Sequence, residues 1–244
     1  MKITVSKTAE KLGKKVAEHA ASLLRKYISE KGSVRLLVAT GASQFTTFEA
    51  LCKEDVDWQK VEVFHLDEYI NLPENHPASF IKYLNERFIN IVRPGKFHPV
   101  DPSIGADEIM KRVSAEIIKS PIDVGLIGIG ENAHIAFNDP PADFDDENAF
   151  KIVMLDEACR RQQLGEGWFK SMEEIPTEAI TMTVKQILKC RHIISAVPYK
   201  VKAQAVRDTV MTDEITNLVP ATALKTHGDW YLYLDEDSAS MINV

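Results

Sequence analysis

Apolar residues recur every three or four positions near the start of the chain, with lysines and glutamates between them. This period is typical of an amphipathic helix that rests one face on a core, and it predicts a helix over residues 7–30. Ser6 is a candidate N-cap, and Gly32 is a candidate for the residue that ends the helix. The apolar positions are Leu12, Val16, Ala20, Leu23, Leu24, Tyr27 and Ile28.

Short, largely apolar segments, typical of buried strands, recur along the remainder of the chain. They are residues 34–39, 61–66, 124–129, 151–155, 192–197 and 230–234. Helical patterns lie between them, the first ending at Leu51 and the next two covering residues 78–91 and 106–119. Alternating strands and helices indicate a mostly parallel sheet with right-handed crossovers. We therefore expect an α/β protein with one Rossmann-like, three-layer domain over residues 1–244, its sheet flanked by helices.

Three polar loops each follow directly on a predicted strand, over residues 40–44, 67–72 and 130–143. In open parallel sheets, ligands bind beyond the carboxyl ends of the strands. The chemically unusual residues of this chain therefore lie where the predicted architecture places a binding site.

The first loop, TGASQ, is a strand-to-helix turn with one glycine and two hydroxyl groups. Gly41 lets the backbone approach a ligand closely, while Thr40 and Ser43 offer hydroxyls. With Ala42 they lead into a helix start whose N–H groups favour an anion. The loop is therefore a candidate phosphate cradle. An ordinary turn with a capping serine is the alternative, because neither G-x-G-x-x-G nor the P-loop pattern is present.

The second loop places two adjacent carboxylates, Asp67 and Glu68, at the end of an apolar strand. Neighbouring residues of a strand point to opposite faces, so the two should do different things. One can face a substrate as a general base while the other holds the wall of the site. A solvated acidic turn is the alternative.

The third loop combines glycines, an imidazole and a carboxylate. Gly128 and Gly130 lie where the chain leaves the strand and enters the loop, and His134 and Asp139 follow. His134 can titrate near neutral pH and move protons, and Asp139 can orient it or tune its pKa. A purely structural histidine is the alternative.

Cationic side chains further along the chain are candidates for a phosphate contact. Lys200 follows the predicted strand at 192–197 and begins a helical segment, where its ammonium could hold a phosphate dianion. Arg160 or Arg161 could reach the same anion, and the sequence does not decide between them. Solvated surface positions are the alternative for all three.

Composition excludes several classes of protein. The net charge of −7 argues against a general nucleic-acid binder. No run approaches the roughly 20 apolar residues of a membrane span, and the first residues lack the apolar region of a secretory signal, so we expect a cytoplasmic protein. The cysteines are Cys52, Cys159 and Cys190, whose odd number and wide spacing favour neither a disulfide framework nor a structural zinc site.

In this order and at these separations, the loops resemble the glucosamine-6-phosphate deaminase family. The resemblance runs through TGASQ, HLDEYINLPENHPASF and GIGENAHIAFNDP. It continues through residues 198–205, 219–227 and 231–238, and so covers most of the chain. The broader superfamily includes 6-phosphogluconolactonases, whose DER and DGH-T patterns are absent from this sequence.

The resemblance implies isomerisation coupled to deamination, in which glucosamine 6-phosphate and water become fructose 6-phosphate and ammonia during amino-sugar catabolism. Asp67 matches the base that moves a proton from C2 towards C1, and His134 matches the residue that transfers protons in ring opening. Asn132 and Asp139 match positions that assist this histidine. The family needs no metal and no organic cofactor. The matching phosphate site is Thr40, Gly41, Ala42, Ser43 and Lys200.

The sequence departs from the family pattern at three positions of the third loop. Asn132 stands where many members have Asp, Ala133 where Gly is usual, and Asp139 where Glu is usual. These departures concern the identity of the substrate more than the class of reaction, and galactosamine 6-phosphate, the C4 epimer, is the alternative substrate. A 6-phosphogluconolactonase and a non-catalytic sugar-phosphate sensor are more distant alternatives. The oligomeric state stays open, with a homo-oligomer among the options.

Overall fold

The computed structural model describes residues 1–73, 75–165 and 167–243, without the side chain of Ala158. Ten strands lie in the described residues: β1 (Lys2–Ser6), β2 (Val34–Val38), β3 (Val61–His65), β4 (Asp67–Tyr69), β5 (Lys96–His98), β6 (Val124–Leu126), β7 (Phe150–Met154), β8 (Glu178–Met182), β9 (His192–Val197) and β10 (Trp230–Asp235).

Eight α-helices lie in the same described ranges: α1 (Ala9–Lys31), α2 (Phe45–Leu51), α3 (Phe80–Leu84), α4 (Asn90–Val92), α5 (Ala106–Ile117), α6 (Glu157–Gly165), α7 (Val184–Ile187) and α8 (Ala203–Met211). A π-helical turn, Asn85–Ile89, joins α3 to α4. Short 3₁₀ helices are Ala42–Gln44, Trp58–Lys60, Pro102–Ile104, Met172–Glu174, Lys200–Lys202 and Pro220–Thr226. No helix in these ranges combines the length and the apolar character needed to cross a membrane.

Seven strands form a parallel sheet in the order β1-β10-β9-β6-β2-β3-β5. The strand order reverses between β2 and β6, because the chain runs outward from β2 to β5 and then returns to the other side of β2. Such a switch point opens a crevice at the carboxyl ends of the strands. A second, antiparallel sheet of β4, β8 and β7 lies beyond this end.

The two faces of the large sheet are buried in separate hydrophobic cores. Leu36 and Leu37 are neighbours on β2, and they belong to opposite cores because adjacent side chains of a strand alternate. Helices α1, α2 and α3 pack on one side, and α5, α7 and α8 pack on the other. The predicted α/β, three-layer arrangement with a mostly parallel sheet is confirmed.

The first helix has the predicted apolar face but begins later than predicted. Ser6 is the last residue of β1 and not the N-cap; Thr8 caps α1 instead, its side chain accepting a hydrogen bond from the Lys11 N–H at 3.3 Å. Gly32 ends the helix at φ 82°, as predicted, because this left-handed conformation suits glycine. An added Cβ on Gly13 would lie 2.5 Å from the Thr46 backbone, so glycine lets α1 and α2 approach closely.

The sequence pattern did not predict four of the strands. Strands β4 and β5 have three residues each, too few for a period to show. Strand β1 is a largely exposed edge, and β8 pairs only within the small sheet. The predicted strand at 124–129 ends earlier, at Leu126, and the predicted helix at 78–91 is interrupted by the π-helical turn.

Candidate functional site

A pocket of about 280 Å³ opens at the carboxyl ends of β9, β6, β2 and β3, where the strand order reverses. The predicted residues Thr40, Gly41, Ala42, Ser43, Asp67 and His134 all line it. The residues that complete the lining come from the same loops, from the start of α3, from α6 and from the segment after β9. They are Ala39, Leu66, Phe80, Gly128, Ile129, Gly130, Glu131, Ala136, Phe137, Gln162, Gln163, Gly165, Tyr199, Val201 and Lys202.

The loop after β2 forms one wall of this pocket. Gly41 has φ 96° and ψ 167°, a conformation that glycine adopts readily and other residues rarely do. The Gly41 carbonyl accepts a hydrogen bond from the Tyr83 hydroxyl at 2.9 Å. Gln44 is buried and donates to the Ser43 hydroxyl at 3.0 Å and to the Ala196 carbonyl at 3.2 Å, which ties the loop to β9. The backbone of the loop is therefore held in place before any ligand binds.

The lysine that lines the pocket is Lys202 and not the predicted Lys200. Lys200 is exposed, and its ammonium donates to the Ser240 hydroxyl at 2.7 Å. Lys202 is only 8% exposed and lines the same pocket as the Thr40–Ser43 loop. Both lie in one turn of 3₁₀ helix, in which residues two apart point to different sides, so the choice between them was open in the sequence.

Neither candidate arginine lines the pocket. Arg160 donates to the Met172 carbonyl, and Arg161 pairs with Glu157 on the exposed side of α6. The same helix instead turns Gln162 and Gln163 towards the pocket. A pair of amides directly after two arginines gives no chemical signal by itself, so the sequence analysis missed this contribution of α6.

Asp67 and Glu68 face opposite ways, as predicted for neighbours on a strand. Asp67 lines the pocket and is 6% exposed. Burial, together with the neighbouring carboxylate of Glu68, raises the pKa of Asp67 well above its ordinary value. A carboxyl group with a raised pKa is a better proton acceptor when ionised. Asp67 is therefore equipped to remove a proton from a ligand.

Glu68 holds the adjacent segment in place. Its carboxylate accepts backbone hydrogen bonds from Tyr69 at 3.0 Å, Phe80 at 3.2 Å and Ile81 at 2.9 Å. It also accepts one from the Ser79 hydroxyl at 3.0 Å. Burial raises the pKa of Glu68 to about 7, although the backbone N–H groups act in the opposite direction. Through these bonds, Glu68 fixes the start of α3 and with it the pocket residue Phe80.

The loop after β6 builds a closed set of contacts around the imidazole of His134. Asp139 lies 2.8 Å from Nδ1 of His134, and Asn132 donates to the same carboxylate oxygen at 2.8 Å. The Asn132 side-chain oxygen accepts the His134 backbone N–H at 3.1 Å. Burial acts to raise the pKa of Asp139, but the hydrogen bond and charge of His134, with the hydrogen bond of Asn132, lower it to about 2.

This arrangement sets which nitrogen of His134 is available. Since Asp139 is an ionised acceptor, Nδ1 carries a proton, and Nε2 of the neutral ring is left as an acceptor. Nε2 lies over Gly130, where an added Cβ would be 2.2 Å away. Asp139 thus reaches the imidazole despite its short side chain, while Asn132 and Asp139 position the ring from outside the pocket lining.

The backbone of this loop is unusual at two alanines. Ala133 has φ 65° and Ala136 has φ 51°, both in the left-handed region that favours glycine. The Ala133 carbonyl accepts the Ala221 N–H at 2.9 Å, which helps to hold the turn. The alanine at position 133, where the family pattern has glycine, is therefore accommodated with local strain.

Both acidic loops are tied to the same strand, β8. Asp67 pairs with Thr181 of β8, and the Thr181 hydroxyl accepts the Phe137 N–H at 3.0 Å. Asn138 donates to the carbonyls of Met182 at 2.8 Å and of Ile135 at 2.9 Å. The carboxylate of Asp67 and the loop of His134 are therefore positioned by one common element.

One set of side chains in the described ranges is close enough together to hold a metal ion, and it lies outside the pocket. Glu62, His98 and Glu116 have their ligand atoms within 4.8 Å of one another. Arg35 already pairs with Glu62 at 2.9 Å, and Lys96 lies 3.8 Å from Glu62 and 3.6 Å from Glu116. These cations neutralise the carboxylates, so the cluster is a salt-bridge network rather than a convincing metal site.

Comparison with known proteins identifies the family to which the chain belongs. The family described as Glucosamine-6-phosphate isomerases/6-phosphogluconolactonase matches residues 7–232. The chain belongs to this family. A glucosamine-6-phosphate deaminase of Thermoanaerobacter sp. (strain X514) is 33% identical over 250 residues, covering 99% of this chain and 95% of the relative. The glucosamine-6-phosphate deaminase of Listeria monocytogenes serotype 4a is 32% identical over 227 residues, covering 93% of this chain and 95% of the relative.

Solved structures of the family have the same fold. A monomeric glucosamine-6-phosphate deaminase superimposes with a TM-score of 0.87 at 28% identity, covering 99% of this chain and 100% of that one. A 6-phosphogluconolactonase of Thermotoga maritima has a TM-score of 0.79 at 16% identity, covering 96% of this chain and 99% of that one. At that identity the second likeness shows the fold alone.

Proposed function

We propose that this protein is a glucosamine-6-phosphate deaminase, which converts glucosamine 6-phosphate and water to fructose 6-phosphate and ammonia. The observation that carries the proposal is one pocket holding a buried carboxyl group, Asp67, and an oriented imidazole, His134, together with Lys202 and the Thr40–Ser43 loop. The names of relatives at 33% and 32% identity support it.

The phosphate end of the substrate binds first in this scheme. The hydroxyls of Thr40 and Ser43, the main chain at Gly41 and the ammonium of Lys202 surround the dianion. Lys202 supplies charge, and the loop supplies polar groups that are already in position. Anchoring the phosphate at this end directs the sugar's C1 and C2 towards Asp67 and His134.

Ring opening is the first chemical step. Nε2 of His134 accepts the proton of the C1 hydroxyl, and the imidazolium returns a proton to the ring oxygen as the C1–O5 bond breaks. Asp139 stabilises the imidazolium through Nδ1, and Asn132 holds Asp139 in place. One imidazole can accept the first proton and donate the second, so a single ring serves both transfers.

Isomerisation and deamination follow from the open-chain aldehyde. The Asp67 carboxylate removes the proton from C2 while the C2 ammonium of the substrate gives a proton to O1, which yields the enolamine. The Asp67 carboxylic acid then returns its proton to C1. The product is a C2 imine, and water adds to it with loss of ammonia to leave the ketone of fructose 6-phosphate. Each step moves a proton or adds water, and nothing is oxidised or reduced overall. Acidic and basic side chains can therefore catalyse the whole series of steps.

The C4 epimer, galactosamine 6-phosphate, is the second candidate substrate, because none of the groups in this scheme acts on C4. A sensor would need no base or oriented imidazole, and both are present here. A lactonase needs no base to remove a proton from C2, whereas the buried carboxyl group of Asp67 is suited to that step.

The test is ammonia release from purified protein supplied with each epimer. We expect release from one or both, with a fall of about 1,000-fold or more in Asp67→Asn, because the amide cannot accept the C2 proton. Asp107→Asn, a matched change at an exposed position of α5, should be unaffected. Absence of ammonia from both epimers, with hydrolysis of 6-phosphogluconolactone instead, would overturn the proposal in favour of the lactonase.

A further inference from the structure

Helix α6 carries a group that the proposed reaction does not use. Gln162 lines the pocket, and its Nε2 is buried from solvent without a hydrogen-bond partner among the described residues. A buried amide donor left unpaired costs about 1–3 kcal/mol, so such groups are normally satisfied by protein, water or a ligand. Because Gln162 lines the pocket, a ligand there can satisfy this donor once the amide turns towards it.

The position of Gln162 is fixed by its neighbours on the helix. Gln163 is 6% exposed and accepts the Tyr69 hydroxyl at 2.6 Å. Just before the helix begins, Asp156 accepts the Cys159 N–H at 2.8 Å. Arg160 donates to the Met172 carbonyl on the next 3₁₀ helix. Gln162 therefore projects from a helix that is held on both sides.

These contacts place Gln162 at the end of the pocket where the chemistry takes place. Tyr69, the partner of Gln163, lies on β4 two residues after Asp67. Cys159, one turn before Gln163 on α6, is 1% exposed, and burial and the carboxylate of Asp139 raise the pKa of its thiol. Helix α6 therefore contacts both the strand that carries Asp67 and the carboxylate of Asp139.

We propose that Gln162 is a specificity-determining residue, which donates its Nε2 hydrogen bond to the C4 hydroxyl of the sugar. This inference rests on the proposed function. Near the reacting carbons the substrate's acceptors are hydroxyl oxygens, since its phosphate is held at the other end. A single amide donor reaches a hydroxyl in one configuration better than in the other, and leaving the donor unpaired penalises the wrong epimer.

The experiment compares kcat/KM for glucosamine 6-phosphate and its C4 epimer in wild-type protein and in Gln162→Met, which keeps the side chain's length and removes its donor. We expect kcat/KM for the preferred epimer to fall about tenfold, with less than a twofold change for the other. The preference would then nearly disappear. Gln162→Glu, which keeps the shape and an acceptor but not the donors, should show the same loss.

Gln204→Met is the matched control, because Gln204 is exposed on α8 and its amide donates to Asp208. Equal losses for both epimers in Gln162→Met, or losses below twofold for each, would overturn the inference. A purely structural role would lower activity without changing the ratio.

Failure of the proposed function would be visible separately, as absence of ammonia in the wild type. The same variants would then be compared by calorimetric binding of the two epimers and of inorganic phosphate. Selective weakening of one epimer in Gln162→Met, with phosphate binding unchanged, supports the inference. Unchanged binding of both epimers overturns it.

Discussion

Gly130 offers a test of how closely the site depends on the position of one ring. In Gly130→Ala, the new Cβ would lie 2.2 Å from Nε2 and 2.3 Å from Cδ2 of His134. Ordinary contact begins at 3.4 Å, so the imidazole must retreat by about 1.2 Å, the difference between 3.4 and 2.2 Å. The ring is the end of a side chain, and it can move without unfolding the loop. That movement breaks or lengthens the 2.8 Å contact with Asp139.

Misplacing a reacting group by about 1 Å can cost about 100-fold in rate. We therefore expect kcat for ammonia release to fall about 100-fold in Gly130→Ala, while the free energy of unfolding changes by less than about 1 kcal/mol. Steady-state kinetics and urea unfolding measure the two quantities on the same preparations. Gly228→Ala is the control, because an added Cβ there meets nothing within 4 Å.

Two results would refute this reasoning. A kcat within threefold of the wild type would mean that His134 functions equally well after displacement, or does not take part. A loss of more than about 3 kcal/mol in unfolding free energy would mean that the backbone of the loop, and not the ring, absorbs the overlap.

Three further predictions follow from the site. Lys202→Met should raise KM for the sugar phosphate at least tenfold, whereas Lys200→Met should change it less than twofold; equal effects would contradict the placement of these lysines. Ala133→Gly should stabilise the protein by about 0.5 kcal/mol, measured by urea unfolding. Relief of the left-handed conformation, which costs alanine about 1–2 kcal/mol, is offset by about 0.4–1 kcal/mol because glycine gives the unfolded chain more freedom. A destabilised variant would show that the turn is unstrained. The pKa of Glu68 is raised from 4.5 to about 7 on folding, so stability from its bound proton is present below pH 4.5 and is lost as the pH rises through 7. Relative to Glu68→Gln, the wild type should lose up to about 3 kcal/mol between pH 4.5 and 7.5, and an unchanged difference in unfolding free energy would contradict the raised pKa.

The fold could be predicted from sequence because its largest elements carry a clear period. The stripe of α1 and the apolar run of β2 are each explained by burial on one or both faces. Short elements were missed because three residues, as in β4 and β5, contain too little pattern. The exact cap of α1 was also missed, because Ser6 and Thr8 are both good caps and only pairing in β1 excludes the first.

The site could be predicted where its residues follow a strand directly. Asp67 and His134 belong to loops whose position is set by the ends of β3 and β6, so the rule for parallel sheets was sufficient to bring them together. Lys202 and Gln162 lie on helical segments, where one residue's shift changes the direction of a side chain by about 100°. Their direction depends on tertiary packing, which a single sequence does not contain.

The attachment of both acidic loops to β8 has a consequence for the length of molecule that the pocket accepts. Asp67 and the Phe137–Asn138 segment are both hydrogen-bonded to the small sheet, whereas the Thr40–Ser43 loop follows a strand of the large one. Leu66 links the two sheets, since it follows β3 directly and its carbonyl accepts the Met182 N–H at 2.8 Å. We expect a substitution at this junction to change the distance between the Thr40–Ser43 loop and Asp67, while Asp67 and the loop of His134 keep their common attachment to β8. Under the proposed function, we expect such substitutions to change the length of the sugar phosphate that the pocket accepts, with Asp67 and His134 unchanged.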